Sequence, residues 1–514
     1  MATSHILPIA NVRPEQVPLG SPVPNVPHAI SVSLPTFQDN VDYEEAKPRV
    51  VDAMVSGYPR FFVALKVKEL IATCEKRYGK PSEKCFLWPS RRVAERCRHF
   101  VERYFTPTIA TDDSTPTPHP RLATTTTPTT GTGTGTVRIV EFSIHAPSSE
   151  LKPDGIKVIK IFATFFPQEA SSIAKQFWQH TGDIVSSRLA AFCLRWLTLK
   201  AEEDQKNARV SNTITITNGT NTTAAAALTA AVAGLGCRMP RGNRHYASAK
   251  LISNGSVYNT TTAGDLFHGV PAVQLQDPQE DMDSRDYEVY VEERYGRNLD
   301  LSFAPKAKVA MRRRIAMQVS HTAAVSGEFV VTEEDVYLFP TGMSAIYNAH
   351  RIAMTLFPKR KSVCFGFPYT DTLKVLQKFG PGCYFYGHGE DNDIETLEKE
   401  LLERTLEEED KILAVFCEFP SNPLLKSANL IRLGELADKY GFMIVVDETL
   451  GNFVNVRILE FADIVVSSLS KIFSGDSNRK CYKRLKEALK REYEDLMWIE
   501  DAIFMERNSR TFKT

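Results

Sequence analysis

Apolar positions in this chain recur with two different periods. Short runs at 362–365, 411–417, 444–446 and 464–466 are dense in β-branched and other apolar residues and stop abruptly at polar or glycine positions. Buried parallel strands reach a working edge in this way. Leu430, Leu433, Leu436, Ala437 and Tyr440 instead follow helical spacing, and 344–356 and 370–379 also read as helices. Gly380, Pro381 and Gly382 stop the last of these. Strand and helix therefore alternate through 249–478. That predicts an α/β fold with a mainly parallel, doubly wound sheet and one cleft outside the carboxyl ends of its strands.

The N-terminal half has a different grammar. An amphipathic stretch at 63–77, a strand at 137–144, an apolar run at 156–166 and one helical pattern over 169–199 predict an α+β accessory region, divided between 1–105 and 137–208. The Thr, Pro and Gly tract at 106–136 holds too little apolar surface to offset chain entropy and is expected to be a disordered insert. A second low-complexity insert covers 209–248, and a charged helix begins in the closing segment, 479–514. No chemistry is assigned to the N-terminal half. His28, Tyr58 and His180 read as polar-tipped residues that satisfy core contacts.

Length and composition narrow the class. The 514 residues suffice for two or more domains, and 62 basic residues balance 62 acidic ones, which argues against nucleic-acid or membrane-surface binding. No apolar run reaches transmembrane length, and the first residues lack a secretory layout, so a cytoplasmic protein is expected. The nine cysteines are scattered without a CxxC pair, which favours free thiols over a disulfide framework or a metal site.

Candidate chemistry collects after the strands. Asp447 ends one run, and Ser467, Ser468, Ser470 and Lys471 end the next. An exposed ion pair at a sheet edge is the commoner explanation for an Asp and a Lys so placed. The pair also suits pyridoxal phosphate: a lysine amine condenses with the cofactor aldehyde, and a carboxylate keeps the pyridine nitrogen protonated. Upstream, Thr341, Gly342 and Met343 form a glycine turn opening a helix, where free N–H groups and the helix dipole attract phosphate. Tyr369 follows the 362–365 run, and Asn422 follows the 411–417 run.

DETLGNF at 447–453, SSLSKIFSGDSN at 467–478, FPTGMSAIYNAHR at 339–351 and EFPSNPLL at 418–425 resemble, in order, motifs of the cystathionine synthase and lyase family, most closely its fungal cystathionine gamma-synthases. The resemblance covers about 287–478, with a weaker likeness in the N-terminal half. It implies that Lys471 carries the cofactor and that Asp447 pairs with its pyridine nitrogen. Tyr369 would stack on the ring and exchange protons, and Asn422 would bond its phenolic oxygen. Gly342, Met343, Ser468 and Ser470 would form the phosphate cup. Tyr295 and Arg297 are similar to a Tyr-x-Arg element that reaches the neighbouring subunit's phosphate, which implies a homo-oligomer. The implied reaction joins cysteine to an O-acylhomoserine, giving cystathionine. Cofactor motifs do not distinguish this synthase from a cystathionine lyase of the same family or identify the acyl group.

One departure from the family pattern follows Asn478. The family continues with a hydrophobic, Gly-rich strand, whereas Arg479, Lys480, Cys481 and Tyr482 come next here. The expectation is a C-terminal domain reduced to a remnant at 479–514, lacking the family's carboxylate-binding Arg. A catalytically incompetent family member is therefore a third reading.

Overall fold

The computed structural model describes residues 17–23, 28–105, 137–151, 155–217, 304–323, 331–403, 407, 411–451, 455–469, 471 and 483–509. Two compact units divide the chain, Met1–Lys200 with Glu292–Thr514 and Ala201–Val291. Of the second, only the end of one helix is described.

The chain begins with a two-residue antiparallel pair, β1 (Pro22–Val23) and β2 (Ser31–Val32), and two short helices, α1 (Phe37–Glu44) and α2 (Pro48–Val51). Helix α3 (Leu65–Tyr78), strand β3 (Glu83–Trp88), helix α4 (Arg91–Tyr104), strands β4 (Arg138–His145) and β5 (Val158–Pro167), and helices α5 (Ser171–Thr181) and α6 (Ser187–Thr217) follow. The strand expected at 137–144 is β4, the apolar run at 156–166 corresponds to β5, and β3, which the sequence reading does not predict, completes an antiparallel sheet with β5 central, between β3 and β4. Its core contains Trp88, Phe177 and Trp178. The Trp88 indole N–H donates to Thr164 Oγ1 at 3.0 Å, so the buried ring leaves no polar atom unpaired. This region is α+β, as the sequence predicts.

One local expectation is corrected. The helical pattern over 169–199 is two helices, because Gly182 sits between them at φ +65°. Any Cβ at Gly182 would meet Thr341 Oγ1 at 2.1 Å, so the break also lets another segment approach. Local periodicity cannot register a contact between residues that far apart in sequence.

Helix α7 (Ala304–Ala323) leads into the second sheet. Helix α8 (Gly342–Leu356), strand β6 (Ser362–Phe365), helix α9 (Thr370–Lys378), strand β7 (Cys383–Tyr386), helix α10 (Asp391–Leu397) and strand β8 (Ala414–Glu418) come next. Helix α11 (Leu430–Tyr440), strands β9 (Met443–Asp447) and β10 (Ile464–Val466), and helices α12 (Lys483–Glu492) and α13 (Ile499–Ser509) complete the described chain. The strands lie in the order β10-β9-β8-β6-β7 and every pair is parallel. Strand β7 was not expected after the 380–382 breaker. It occupies the sheet edge and is only partly buried, and its four residues, CYFY, follow the breaker directly.

Alternate strand residues face two separate cores. Cys364, Phe416, Val445 and Val466 pack with α8 and α12 on one side, and Val363, Val415, Ile444 and Val465 with α11 on the other. Burying such side chains contributes about 1.5–3 kcal/mol each, and burial on both faces is why these strands read as continuous apolar runs. The strand expected to be absent after Asn478 falls outside the described residues. No helix among the described residues is long and apolar enough to cross a membrane, and no cluster of three or more His, Cys, Asp or Glu side chains there could hold a metal ion.

Candidate active site

Strand order reverses between β6 and β8: the chain leaves β6 for β7 on one side and returns to β8 on the other. A crevice opens at such a switch point, beyond the carboxyl ends of the strands. Here it is lined by Ile346, Pro368, Thr372, Glu418, Asp447 and Val466, among others.

One wall is the N-terminus of α8. Thr341 caps it, its Oγ1 accepting the Ser344 N–H at 3.0 Å, and the first main-chain bond closes from Ala345 to the Thr341 carbonyl. The Gly342 and Met343 N–H groups precede that bond and have no carbonyl four residues back. Ser468 faces them so closely that a Cβ on Gly342 would sit 2.9 Å from Ser468 Cβ. Gly342, Met343 and Ser468, predicted separately, are therefore adjacent. Asp183 supports this wall from the N-terminal layer. It accepts from the Ser344 hydroxyl and, at 3.1 Å, from Asn348 Nδ2, and it lies 3.6 Å from the Arg96 guanidinium.

Asp447 closes β9. Its Oδ1 accepts the Thr449 N–H at 2.9 Å and the Thr449 hydroxyl at 2.6 Å, and Thr449 Oγ1 accepts the Ser468 N–H at 2.9 Å. Surrounding protein pushes the Asp447 carboxyl above its ordinary range, opposed by the Thr449 bonds and the Lys471 charge. Lys471 is exposed, and its N–H donates to the Ser468 carbonyl at 3.2 Å. Its charge also reaches Glu418, so both carboxylates and this amine share one field.

Glu418 pairs with Asp447 in the β8–β9 register. Its Oε1 accepts the Tyr369 N–H and its Oε2 the Asn422 N–H, the latter at 3.2 Å. One carboxylate thus ties together the loops that carry both residues. Burial, and next the Asp447 charge, push Glu418 up to about 7, against the two N–H groups and Lys471. The Asn422 side chain is exposed, and Tyr369 is 37% exposed at the mouth of the crevice. The Tyr369 phenol accepts from Arg60 Nη2 at 2.9 Å.

The sequence reading missed Arg60, Asp183, Glu418 and Thr449. A signal existed for one: Tyr58, Pro59 and Arg60 repeat the Tyr-x-Arg spacing of Tyr295, Gly296 and Arg297. Tyr295, Arg297 and Ser470 lie outside the described residues. His180 is buried with Nε2 3.8 Å from an Asp371 oxygen, in keeping with its reading as a core residue.

Pyridoxal phosphate fits this arrangement. The cradle that a Gly342 Cβ would fill suits a phosphate dianion, the enclosed Asp447 suits a protonated ring nitrogen, and the exposed Lys471 amine suits the aldehyde. Comparisons with known proteins agree. The family described as "Fungal trans-sulfuration enzyme, N-terminal domain" matches residues 66–186, and "Cys/Met metabolism PLP-dependent enzyme" matches 328–479. A cystathionine gamma-synthase-like enzyme of Amanita muscaria is 38% identical over 512 residues, 97% of this chain and 72% of that protein. The cystathionine gamma-synthase of Neurospora crassa is 36% identical over 541 residues, 96% of this chain and 77% of that one. A protein named alanine racemase in Aspergillus violaceofuscus is 28% identical over 527 residues, 97% of this chain and 72% of its own length. The chain belongs to the fungal cystathionine gamma-synthase group of the pyridoxal phosphate-dependent enzymes of cysteine and methionine metabolism.

Proposed function

We propose that the chain catalyses γ-replacement, in which cysteine and an O-acylhomoserine give cystathionine. The thiol sulfur bonds to the γ-carbon, the γ-carbon–oxygen bond breaks, the acyl carboxylate leaves with the bonding pair, and the thiol proton passes to base. What supports this reading is Asp447 in the crevice with the charge of Lys471 acting on it, and the α8 N-terminus packed against Ser468, in a chain 36% identical to a Neurospora cystathionine gamma-synthase over 96% of its length.

Gly342, Met343, Ser468 and Ser470 would hold the phosphate through N–H and hydroxyl donors, and Tyr295 and Arg297 would add a phenol and a guanidinium from the neighbouring subunit. Asp447 would hold positive charge at the ring nitrogen, Asn422 would donate to the phenolic oxygen, and Tyr369 would lie against the ring face. When bound, pyridoxal phosphate withdraws electrons from the substrate's α-carbon. Lys471 Nζ would then carry protons from Cα to positions further along the chain, and the Tyr369 phenol would be a second proton-exchanging group at the mouth.

The alanine racemase name of one relative favours assaying a second reaction alongside the first. Turnover of O-acetylhomoserine or O-succinylhomoserine with cysteine is to be compared with cleavage of cystathionine alone and with racemisation of alanine. Cystathionine formation should dominate. Faster cleavage or racemisation would overturn the synthase reading.

A further inference from the structure

The segment 57–62, ahead of both matched family regions, places a buried cation against the site. Its backbone is pinned to the N-terminal core, because the Trp178 indole N–H donates to the Pro59 carbonyl at 3.2 Å. Gly57 is packed so tightly that a Cβ would meet Phe62 Cβ at 2.8 Å. From this fixed base Arg60 turns inward and is 2% exposed.

The guanidinium splits its donors. Nη1 donates to Asp371 Oδ2 and to the Gln179 carbonyl, each at 2.8 Å, while Nη2 donates to the Tyr369 hydroxyl at 2.9 Å. A cation serving only to neutralise Asp371 would have its full fork available for that carboxylate, in the bidentate geometry that carboxylates favour. Instead one arm reaches the phenol, and the guanidinium carbon lies 5.5 Å from the Tyr369 ring centroid. Asp371 follows Tyr369 by two residues in the first turn of α9, so Arg60 grips that turn at two points. Around them stand His180, whose Nε2 is 3.8 Å from Asp371, and Lys374, 3.4 Å from the same carboxylate.

We infer that Arg60 is a positioning residue for Tyr369, supplied by the N-terminal region, which fixes the aromatic ring at the mouth of the crevice. The inference rests on the proposed role of Tyr369 against the cofactor ring. Without the bond to its phenol, a residue 37% exposed has two side-chain torsions to relax, and the ring no longer presents one face. The N-terminal layer would then contribute to cofactor binding through Tyr369.

The test uses Arg60→Lys, which keeps a cation for Asp371 but cannot fork to the phenol, together with Tyr369→Phe and the double variant. Two readouts are taken: amide hydrogen exchange across 366–378 in cofactor-free protein, and the equilibrium affinity for pyridoxal phosphate. Arg60→Lys and Tyr369→Phe should each speed exchange and weaken affinity roughly tenfold, the worth of one charge-assisted hydrogen bond, and the double variant should be no worse than either. No change in either readout for Arg60→Lys, or effects that multiply in the double variant, would overturn the inference. If Arg60→Lys does not fold, unchanged exchange in Tyr369→Phe overturns it alone. Tyr369→Ala separates the two claims. Unaltered affinity there, with faster exchange in Arg60→Lys, rejects the stacking role and leaves the Arg60 grip standing.

Discussion

Asp183, just beyond the C-terminus of α5, accepts a hydrogen bond from the hydroxyl of Ser344 in the first turn of α8. The carboxylate is wholly buried and also takes the Asn348 amide, with Arg96 beside it. The N-terminal layer therefore holds the helix whose first residues are proposed to cradle the cofactor phosphate. Asp183→Ala strips the Ser344 hydroxyl and the Asn348 amide of their buried acceptor, while Arg96 keeps Glu494 at 3.0 Å, and should cost about 2–4 kcal/mol of unfolding free energy, against about 1–2 kcal/mol for Ser344→Ala. Urea unfolding of both variants checks the order, and equal losses would contradict it.

Gly342 has no room for a side chain. A Cβ would lie 2.9 Å from Ser468 Cβ and 3.1 Å from its Oγ, so Gly342→Ala must move the helix start or the β10 loop. Overpacking of this kind costs about 1–3 kcal/mol. The expected outcome is a selective loss of affinity for pyridoxal phosphate, with affinity for unphosphorylated pyridoxal little changed. Equilibrium titration with each compound makes the comparison, and an equal loss for both would remove Gly342 from the cradle.

Glu418 joins two loops through one carboxylate, and a glutamine keeps only one of its two acceptors. Glu418→Gln should speed amide exchange at Tyr369 or Asn422 but not at both equally. The linkage sign is also fixed. Glu418 titrates at about 7 in the fold against an ordinary 4.5, so the folded state binds more protons between these values, and this contribution to stability is lost as pH rises from 4.5 to 7. In cofactor-free protein the stability of Glu418→Gln relative to the parent should rise over that window. A pH-independent difference would mean that Glu418 titrates normally.

His350 gives the opposite slope. It is fully buried on α8, edge-on to Phe416, and burial holds its imidazole down to about 4. The unfolded chain takes up the proton near 6.5, so the associated stability is complete above that pH and falls as pH drops towards 4. The integrated effect is about 3 kcal/mol. Unfolding of the parent and His350→Gln should show the parent losing about that much more between pH 7 and 4, and parallel curves would contradict the assignment.

How much of this was legible in the sequence follows from the range of each interaction. Strands β6, β8, β9 and β10 are buried on both faces, so their composition alone reveals them, and Asp447 stands where the apolar run stops. Strand β7 lies at the edge with half-exposed residues, and its short aromatic run CYFY sits directly after the Gly380–Pro381–Gly382 breaker, which hides it. The break at Gly182 exists for the approach of Thr341, and the charge on Arg60 is explained by Asp371 and Tyr369. These partners lie 159, 311 and 309 residues away, beyond any local period. Glu418 was inside a motif that had been singled out, but its two acceptors are taken by backbone N–H groups, which no side-chain pattern encodes.

Lys471, whose charge acts on Asp447, is proposed to be the residue that carries pyridoxal phosphate. Loading the protein with the cofactor, reducing with borohydride and mapping the fixed pyridoxyl group by peptide mass spectrometry tests it most directly. One labelled peptide, containing Lys471, is expected, with loss of both the label and the visible absorbance in Lys471→Ala. A label on another lysine, or a retained label and absorbance in Lys471→Ala, would contradict it.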